Sequence, residues 1–266
     1  MSGDGPIAVA PDEWLVAHRG YPARFPENSL EGMKAVLDAG ARLVELDVQL
    51  SRDMNPVVSH DDSLQRVAGR GSRVTASSLA RLGAISSGER ERFGGRFDHA
   101  RIPTVARMLR LIGQYPRVLK VFVDVKDESL GVFGRTNTIG AVMRVMADVS
   151  VPWAMLCADD EALSLARGRG APEIGWVFDE WTPAARARAD ALGPDFLFTP
   201  ARQVPATKAP FWPQAGCRWC VYDVNDAESA LDLRHRGAEL IETDCLPDLA
   251  RTCRERAADA LSARRG

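Results

Sequence analysis

A (β/α)8 TIM barrel is the fold this sequence predicts, on three observations. With 266 residues and 45% hydrophobic content, the chain can build one large core at a length such barrels keep within a single domain. Apolar runs of strand length alternate with amphipathic helical patterns, as βα units do. Eight such runs can be counted, and the ionisable residues that stand out cluster at their carboxyl ends, where these barrels carry their sites. Residues 1–266 are therefore expected to form one barrel domain.

The first strand is Trp14-Leu15-Val16-Ala17, which delivers His18-Arg19-Gly20 at its carboxyl end. In the helix that follows, Asn28 is the expected N-cap and Glu31 completes a capping box. Leu30, Met33, Val36 and Leu37 repeat at helical spacing, and Gly40 ends the element. The second strand, Leu43 to Val48, carries Glu45 and Asp47 where a buried strand should hold aliphatics. Side chains alternate with period two, so both acids project from one face, roughly 7 Å apart along the strand. Two bare buried carboxylates cost several kcal/mol, about what a bound cation must offset.

Gln49 to Asp61 then holds two β-type runs around an Asp, Asn and Pro cluster, so a hairpin is expected to extend beyond the strand end and bring His60 back towards Glu45 and Asp47. Residues 62–101 are polar, rich in Gly, Arg and Ser, with one modest helical pattern around Ser78 to Leu82. A segment this long between a strand and a helix is expected to act as a lid or insertion. Its His99 reads as a solvated loop residue. Ile102-Pro103-Thr104 opens a helix with an apolar stripe of Val105, Met108, Leu109 and Ile112.

Arg117 to Lys126 is the third strand, and Asp124 and Lys126 repeat the i, i+2 arrangement inside its apolar run. Regular βα units follow. Asn137 or Thr138 is expected to cap a helix running to Val149, and Asp159 or Asp160 one ending near Gly168, either side of a strand at Trp153 to Cys157. The strand Glu173 to Phe178 leads to a helix with Thr182 as N-cap, Pro183 at the first position and Gly193 as stop. Asp195 to Thr199 is the next strand, and its proline-rich continuation from Pro200 to Pro213 is only weakly helical. Arg218 to Asn225 and Glu239 to Asp244 complete the eight, separated by a helix that stops at Gly237, with His235 favouring its carboxyl-terminal dipole. Pro247 to Arg264 reads as a closing helix.

Formal net charge is -2, which leaves no electrostatic footprint for nucleic acid, and no polybasic patch marks a membrane surface. Nothing in Met1 to Asp12 has the basic and apolar regions of a leader, and no segment has the length of a membrane span, so stable membrane insertion is not expected and the cytoplasm is the default location. The five cysteines are odd in number and lie mostly in apolar runs, which argues for reduced core thiols. Cys217 and Cys220 match a CxxC spacing, but in an extended run they face opposite sides.

The motifs His18-Arg19-Gly20, Pro26-Glu27-Asn28-Ser29, Glu45-Leu46-Asp47-Val48 with a Ser51-Arg52-Asp53 turn, and His60-Asp61 closely resemble those of the glycerophosphodiester phosphodiesterases. Ile102-Pro103-Thr104, Asp124-Val125-Lys126 and Glu242-Thr243-Asp244 agree, so the resemblance runs from His18 to Pro247. It implies a barrel hydrolase acting on a small-molecule glycerophosphodiester, releasing glycerol 3-phosphate and an alcohol through a cyclic phosphate. Glu45, Asp47 and Asp124 are then the metal ligands, and such hard oxygen donors favour Mg²⁺ or Ca²⁺. Arg19 and Lys126 would neutralise the phosphate. His18 and His60 would act as general base and general acid. Two positions depart from the family: Asp124 replaces its usual glutamate, and Tyr222 stands where tryptophan commonly walls the site. The first departure also resembles the sphingomyelinase D and lysophospholipase D barrels, which typically lack the Pro26 to Ser29 motif. Lysophospholipid substrates are the alternative expectation, and a silent barrel that only binds anionic metabolites is the second.

Overall fold

The computed structural model describes residues 10–207, 211–212 and 216–263. Its centre is a closed parallel barrel of eight strands: β1 (Leu15–Ala17), β2 (Leu43–Leu50), β4 (Lys120–Val125), β5 (Trp153–Cys157), β6 (Ile174–Val177), β7 (Phe196–Pro200), β8 (Arg218–Tyr222) and β9 (Leu240–Thr243). Neighbours pair in this order and β9 returns to β1, which also pairs β2, so the sheet has no open edge in the barrel. The short β3 (Pro56–Val58) lies antiparallel to the far end of β2, with Val48 opposite Val58 and Leu50 opposite Pro56. It forms the expected hairpin.

Alternation along the strands builds two cores. Outward residues pack under the ring of helices, whereas Val16, Leu43, Phe122, Ala154, Leu156, Phe196, Phe198, Cys220 and Leu240 fill the barrel. Phe122 is the keystone of this plug, with ring centroids 5.0 Å from Phe196 and 5.3 Å from Phe198. Gly175 completes the fit, since a Cβ there would lie 2.4 Å from Leu156 Cδ2. Below the rings, Glu173 pairs with Lys120 and accepts a hydrogen bond from Arg218 Nη2 at 3.1 Å, closing the amino-terminal end with charge. Cys217 belongs to the outer core and Cys220 to the inner one, so the CxxC pair does face opposite ways.

The helices are α1 (Leu30–Asp38), α2 (Gln65–Ala68), α3 (Leu79–Ala84), α4 (Arg90–Phe93), α5 (Val105–Ile112), α6 (Asp127–Phe133), α7 (Arg135–Met146), α8 (Asp160–Gly168), α9 (Pro183–Leu192), α10 (Ala227–His235) and α11 (Leu246–Ala263). Ser78, Thr104, Asp159 and Thr182 cap α3, α5, α8 and α9 through their side chains. Two expected caps differ. Ser29, not Asn28, caps α1, its Oγ accepting the Gly32 amide at 3.0 Å. α7 has Gly134 as its N-cap, ahead of Asn137 and Thr138, because Thr138 is buried inside the helix with its hydroxyl donating to the Ser129 carbonyl. α6 is an unforeseen short helix. It begins directly after Lys126, and its first-turn acids Asp127 and Glu128 suit the helix dipole. The proline-rich continuation of β7 forms one short helical turn, Ala201–Gln203; its residues 208–210 and 213 lie outside the described residues, as does Arg264 of the closing helix.

The segment 62–101 is more than a loop. Around α2, α3 and α4, the side chains of Leu64, Val67, Val74, Leu82 and Ile85 bury a small core of their own against Val57 and Ile102. Among the described residues, no helix is long and apolar enough to cross a membrane.

Phe122→Ala should test the plug. Its ring is fully buried, so truncation opens a void and should cost about 3–5 kcal/mol, read as a lowered midpoint in urea or thermal unfolding. A loss under about 1 kcal/mol would mean that the barrel interior collapses onto the gap.

Candidate active site

Strand parity aims the acids. Val16, Leu43, Phe122 and Leu240 point into the barrel, so the residues two further along each strand, His18, Glu45, Asp124 and Glu242, crown the apolar plug. Asp47 lies one pleat above Glu45 and pairs in register with Asp124. Carboxylate oxygens of Glu45, Asp47 and Asp124 all lie within 4.8 Å of one another. Glu45 and Asp47 are almost fully buried.

Two cations answer this charge. The Lys126 ammonium sits 2.6 Å from Asp47 Oδ1 and 2.5 Å from Asp124 Oδ2. Arg19 Nε is 3.0 Å from Asp47 Oδ2, and the Arg19 backbone N–H donates to Glu45 Oε2 at 3.0 Å. Burial works against ionised Asp47, but Arg19 and Lys126 overcome it and hold its carboxyl far below the usual range. Among the described residues Glu45 makes no ion pair, and burial reinforced by Asp47 and Glu242 pushes its carboxyl well up against the pull of Lys126. Glu242 is pushed up to about 7, first by burial, and its Oε1 has no hydrogen-bond partner among the described residues. The crown thus sets four carboxyl groups beside two cations, and Glu45 and Glu242 hold their protons more tightly than free carboxyls do.

Chain turns of unusual geometry place these groups. After β1 the backbone passes through positive φ at Arg19 (52°) and Gly20 (89°), and again at Asn28 (55°), a conformation that Asn tolerates better than most residues. Asn28 N–H closes this loop onto the Arg19 carbonyl at 2.9 Å, and its side-chain Nδ2 donates to Asp47 Oδ2 at 2.7 Å. Asn28 is therefore a support of Asp47. The sequence signal was the adjacent Ser29: two cap-competent residues in tandem leave one of them free for another task.

The two histidines are held differently. His18 is buried, with Nδ1 2.9 Å from Asp244 Oδ1, while Arg19 Nε donates to its Nε2 at 3.1 Å. Since Nε2 accepts, Nδ1 carries the proton and donates it to Asp244. Burial disfavours the charged ring, but Glu242 and Asp244 outweigh it and raise its basicity. His60 stands at the hairpin's end with Nδ1 2.6 Å from Asp61 Oδ1 and a side chain 35% exposed. Asp61 Oδ2 in turn accepts from Arg66 Nε at 2.8 Å. His60 helps to hold the Asp47 carboxyl down, yet among the described residues no hydrogen bond or ion pair joins it directly to Glu45, Asp47 or Asp124. Tyr222 faces His18 at 6.5 Å between ring centroids, and its hydroxyl donates to Asp179 Oδ1 at 3.4 Å. His99 lies apart, its exposed ring 3.4 Å from Glu31.

Buried acids, two cations paired with them and two carboxylate-held histidines thus gather at the carboxyl mouth of a (β/α)8 barrel, where such folds carry their sites. The glycerophosphoryl diester phosphodiesterase family model matches residues 18–150, half of the chain. The chain belongs to that family. A glycerophosphodiester phosphodiesterase of Caldanaerobacter subterraneus is 35% identical over 99 residues, covering 37% of this chain and 40% of that protein. The human lysophospholipase D GDPD3 is 33% identical over 118 residues, covering 44% of this chain and 37% of that protein. The chain thus matches well under half the length of these curated relatives. Over the fold, an Oleispira antarctica phosphodiesterase solved with the product sn-glycerol-3-phosphate superposes with a TM-score of 0.77 at 24% identity, covering 92% of this chain and 96% of that one. The Thermotoga maritima glycerophosphodiester phosphodiesterase gives 0.67 at 22% identity, covering 90% and 97%.

Gly20→Ala should disturb both turn and site. At φ 89° a Cβ would meet the Met33 backbone nitrogen at 2.8 Å and the Gly32 carbonyl carbon at 2.9 Å. Strain of about 1–3 kcal/mol is expected from the conformation alone, so thermal unfolding should fall by several degrees. An unchanged midpoint would show that α1 slides away without cost.

Proposed function

We propose that this protein is a metal-dependent phosphodiester hydrolase that cleaves glycerophosphodiesters to glycerol 3-phosphate and an alcohol, with His18 and His60 as its proton-transfer pair. The observation that carries the reading is the convergence of Glu45, Asp47 and Asp124, three carboxylates sharing one space, beside Arg19 and Lys126 at the mouth of a barrel of this family. The reading takes residues 1–266 as one domain with 62–101 as an insertion beside the mouth. It has a small-molecule substrate, a cytoplasmic setting, and neither nucleic acid nor stable membrane insertion.

The donor set fits a hard divalent cation, Mg²⁺ or Ca²⁺: it is all oxygen, and carboxylate oxygens of Glu45, Asp47 and Asp124 converge within 4.8 Å of one another. Such an ion, when bound, polarises a phosphoryl oxygen as a Lewis acid. Arg19 and Lys126 neutralise the charge that grows on the phosphate in the transition state. His18 has the tautomer of a base, with Asp244 fixing Nδ1–H and Nε2 left as an acceptor that Arg19 Nε meets at 3.1 Å, so once substrate phosphate draws Arg19 away it takes the proton of the attacking glycerol hydroxyl. The resulting imidazolium is stabilised by Asp244, in the manner of a histidine oriented by a buried carboxylate. His60, more exposed and held by Asp61, delivers a proton to the leaving alkoxide, and water then adds to the cyclic phosphate so formed, opening it to glycerol 3-phosphate. Tyr222, across from His18, walls the cleft on the substrate's side.

Activity on glycerophosphocholine, lost with EDTA and restored by Mg²⁺ or Ca²⁺, tests this reading. A second substrate class is kept by the similarity to a human lysophospholipase D, and a parallel assay with a lysophospholipid decides between the two. Inactivity on both would overturn the hydrolase.

Glu45→Ala and Asp47→Ala should each abolish activity and, with it, the thermal stabilisation by divalent ion, which for the intact site is about 2.7 kcal/mol at a hundredfold excess over Kd. Retained metal-dependent activity in Asp47→Ala would refute the ligand assignment.

Asp124→Glu restores the family's usual residue and should nevertheless impair the enzyme. Asp124 already touches Lys126 at 2.5 Å and stands in register with Asp47, so the longer arm overfills the site and displaces the ammonium. We expect lower activity and weaker metal stabilisation; an undiminished variant would mean that the third ligand is loosely placed.

A further inference from the structure

Arg66 lies on α2, in the insertion, and has no sequence motif to recommend it. Its guanidinium bridges two carboxylates. Nη1 and Nη2 clamp Glu27, the latter at 2.8 Å from Oε1, while Nε donates to Asp61 Oδ2 at 2.8 Å. Each acid holds a residue of the proposed machinery: Glu27 Oε1 accepts from Arg19 Nη1 at 3.3 Å, and Asp61 Oδ1 holds His60 Nδ1 at 2.6 Å. The Glu27 side chain is only 7% exposed although Arg66 itself is 45% exposed, so the fork reaches inward from the surface. A second tie runs the same way: the Glu27 backbone N–H donates to Glu89 Oε1 at 2.6 Å, and Glu89 is 2% exposed.

We propose that Arg66 is a positioning residue, through which the 62–101 insertion holds His60 and Arg19 in their working orientations. The insertion then acts as a fixed brace across the mouth and not as a mobile lid. Planar geometry suits the role: one guanidinium gives a bidentate fork to Glu27 and a third bond to Asp61, a fixed arrangement that the point charge of a lysine ammonium on a flexible stem does not reproduce. Supporting residues of this kind typically matter by about 10–100-fold when removed.

This proposal rests on the catalytic reading for its kinetics but not for its geometry, and the test separates them. Arg66→Gln is compared with Arg66→Lys and with Arg90→Gln, which removes an insertion arginine that pairs with Asp98 alone among the described residues. In long-range ¹H–¹⁵N spectra of the histidine rings, Arg66→Gln should move the His60 signals and leave His235 in place; Arg90→Gln should move neither. Where wild type hydrolyses glycerophosphocholine, Arg66→Gln should lower kcat about tenfold or more, with a smaller defect on a nitrophenyl diester whose leaving group needs no proton. Arg66→Lys should recover part of the loss, and Arg90→Gln should match wild type. Unmoved His60 signals in Arg66→Gln overturn the brace. So does full kcat in that variant, or an equal defect on both substrates. If wild type cleaves neither substrate, the hydrolase reading fails and the spectra alone decide the brace.

Discussion

Everything at the mouth of this barrel answers one constraint: carboxylates removed from water must be matched by positive charge. Glu45, Asp47 and Glu242 are each at most 3% exposed. The strands supply the acids by simple alternation, but the counter-charge must come from outside the sheet. Arg19 supplies it by way of a turn with two successive residues at positive φ, and Lys126 by sitting one pleat beyond Asp124. The loop that carries Asn28 is bent for the same purpose. Strain in these turns is retained because the groups they deliver cannot be supplied by regular structure.

The same alternation decides how much could be read from the chain. Glu45, Asp47, Asp124 and Lys126 interrupt apolar runs with period two, so their common face and their place at the strand ends follow from the letters. His18 follows too, one residue past a strand. Asn28 was misassigned because cap chemistry at Asn28 and Ser29 is locally equivalent, and only the fold decides which side chain turns inward. Thr138 was misplaced for a related reason: a threonine that looks like a cap is buried against a neighbouring helix. Arg66 was beyond reach, since its partner Glu27 lies 39 positions away and no periodicity links them. Glu242 and Asp244 were visible as motif members, but their roles beside His18 depend on the barrel closing β9 onto β1.

Closure also gives the two histidines different surroundings. His18 rides on a barrel strand, enclosed by Asp244, Glu242 and Arg19, and its geometry is set by the sheet. His60 hangs from a hairpin outside the barrel and pairs with Asp61, which in turn accepts from Arg66 of a neighbouring segment with a core of its own. The centre of the site is thus set by the barrel strands, whereas its rim is set by the insertion. That division matches where such barrels vary: strands hold the shared chemistry and the loops tune it.

At the opposite end, the rings of Phe122, Phe196 and Phe198 and the Lys120, Glu173 and Arg218 cluster shut the barrel. The barrel interior is consequently sealed from that end, and the mouth at the carboxyl ends of the strands is its doorway. Under the proposed reaction, substrate, attacking water, phosphate product and departing alcohol all share that one opening, so traffic is sequential: the alcohol must clear the threshold before water can reach a cyclic intermediate held behind it. A bulky or sluggish alcohol would then throttle turnover by congestion, independently of how fast the bond to phosphorus breaks.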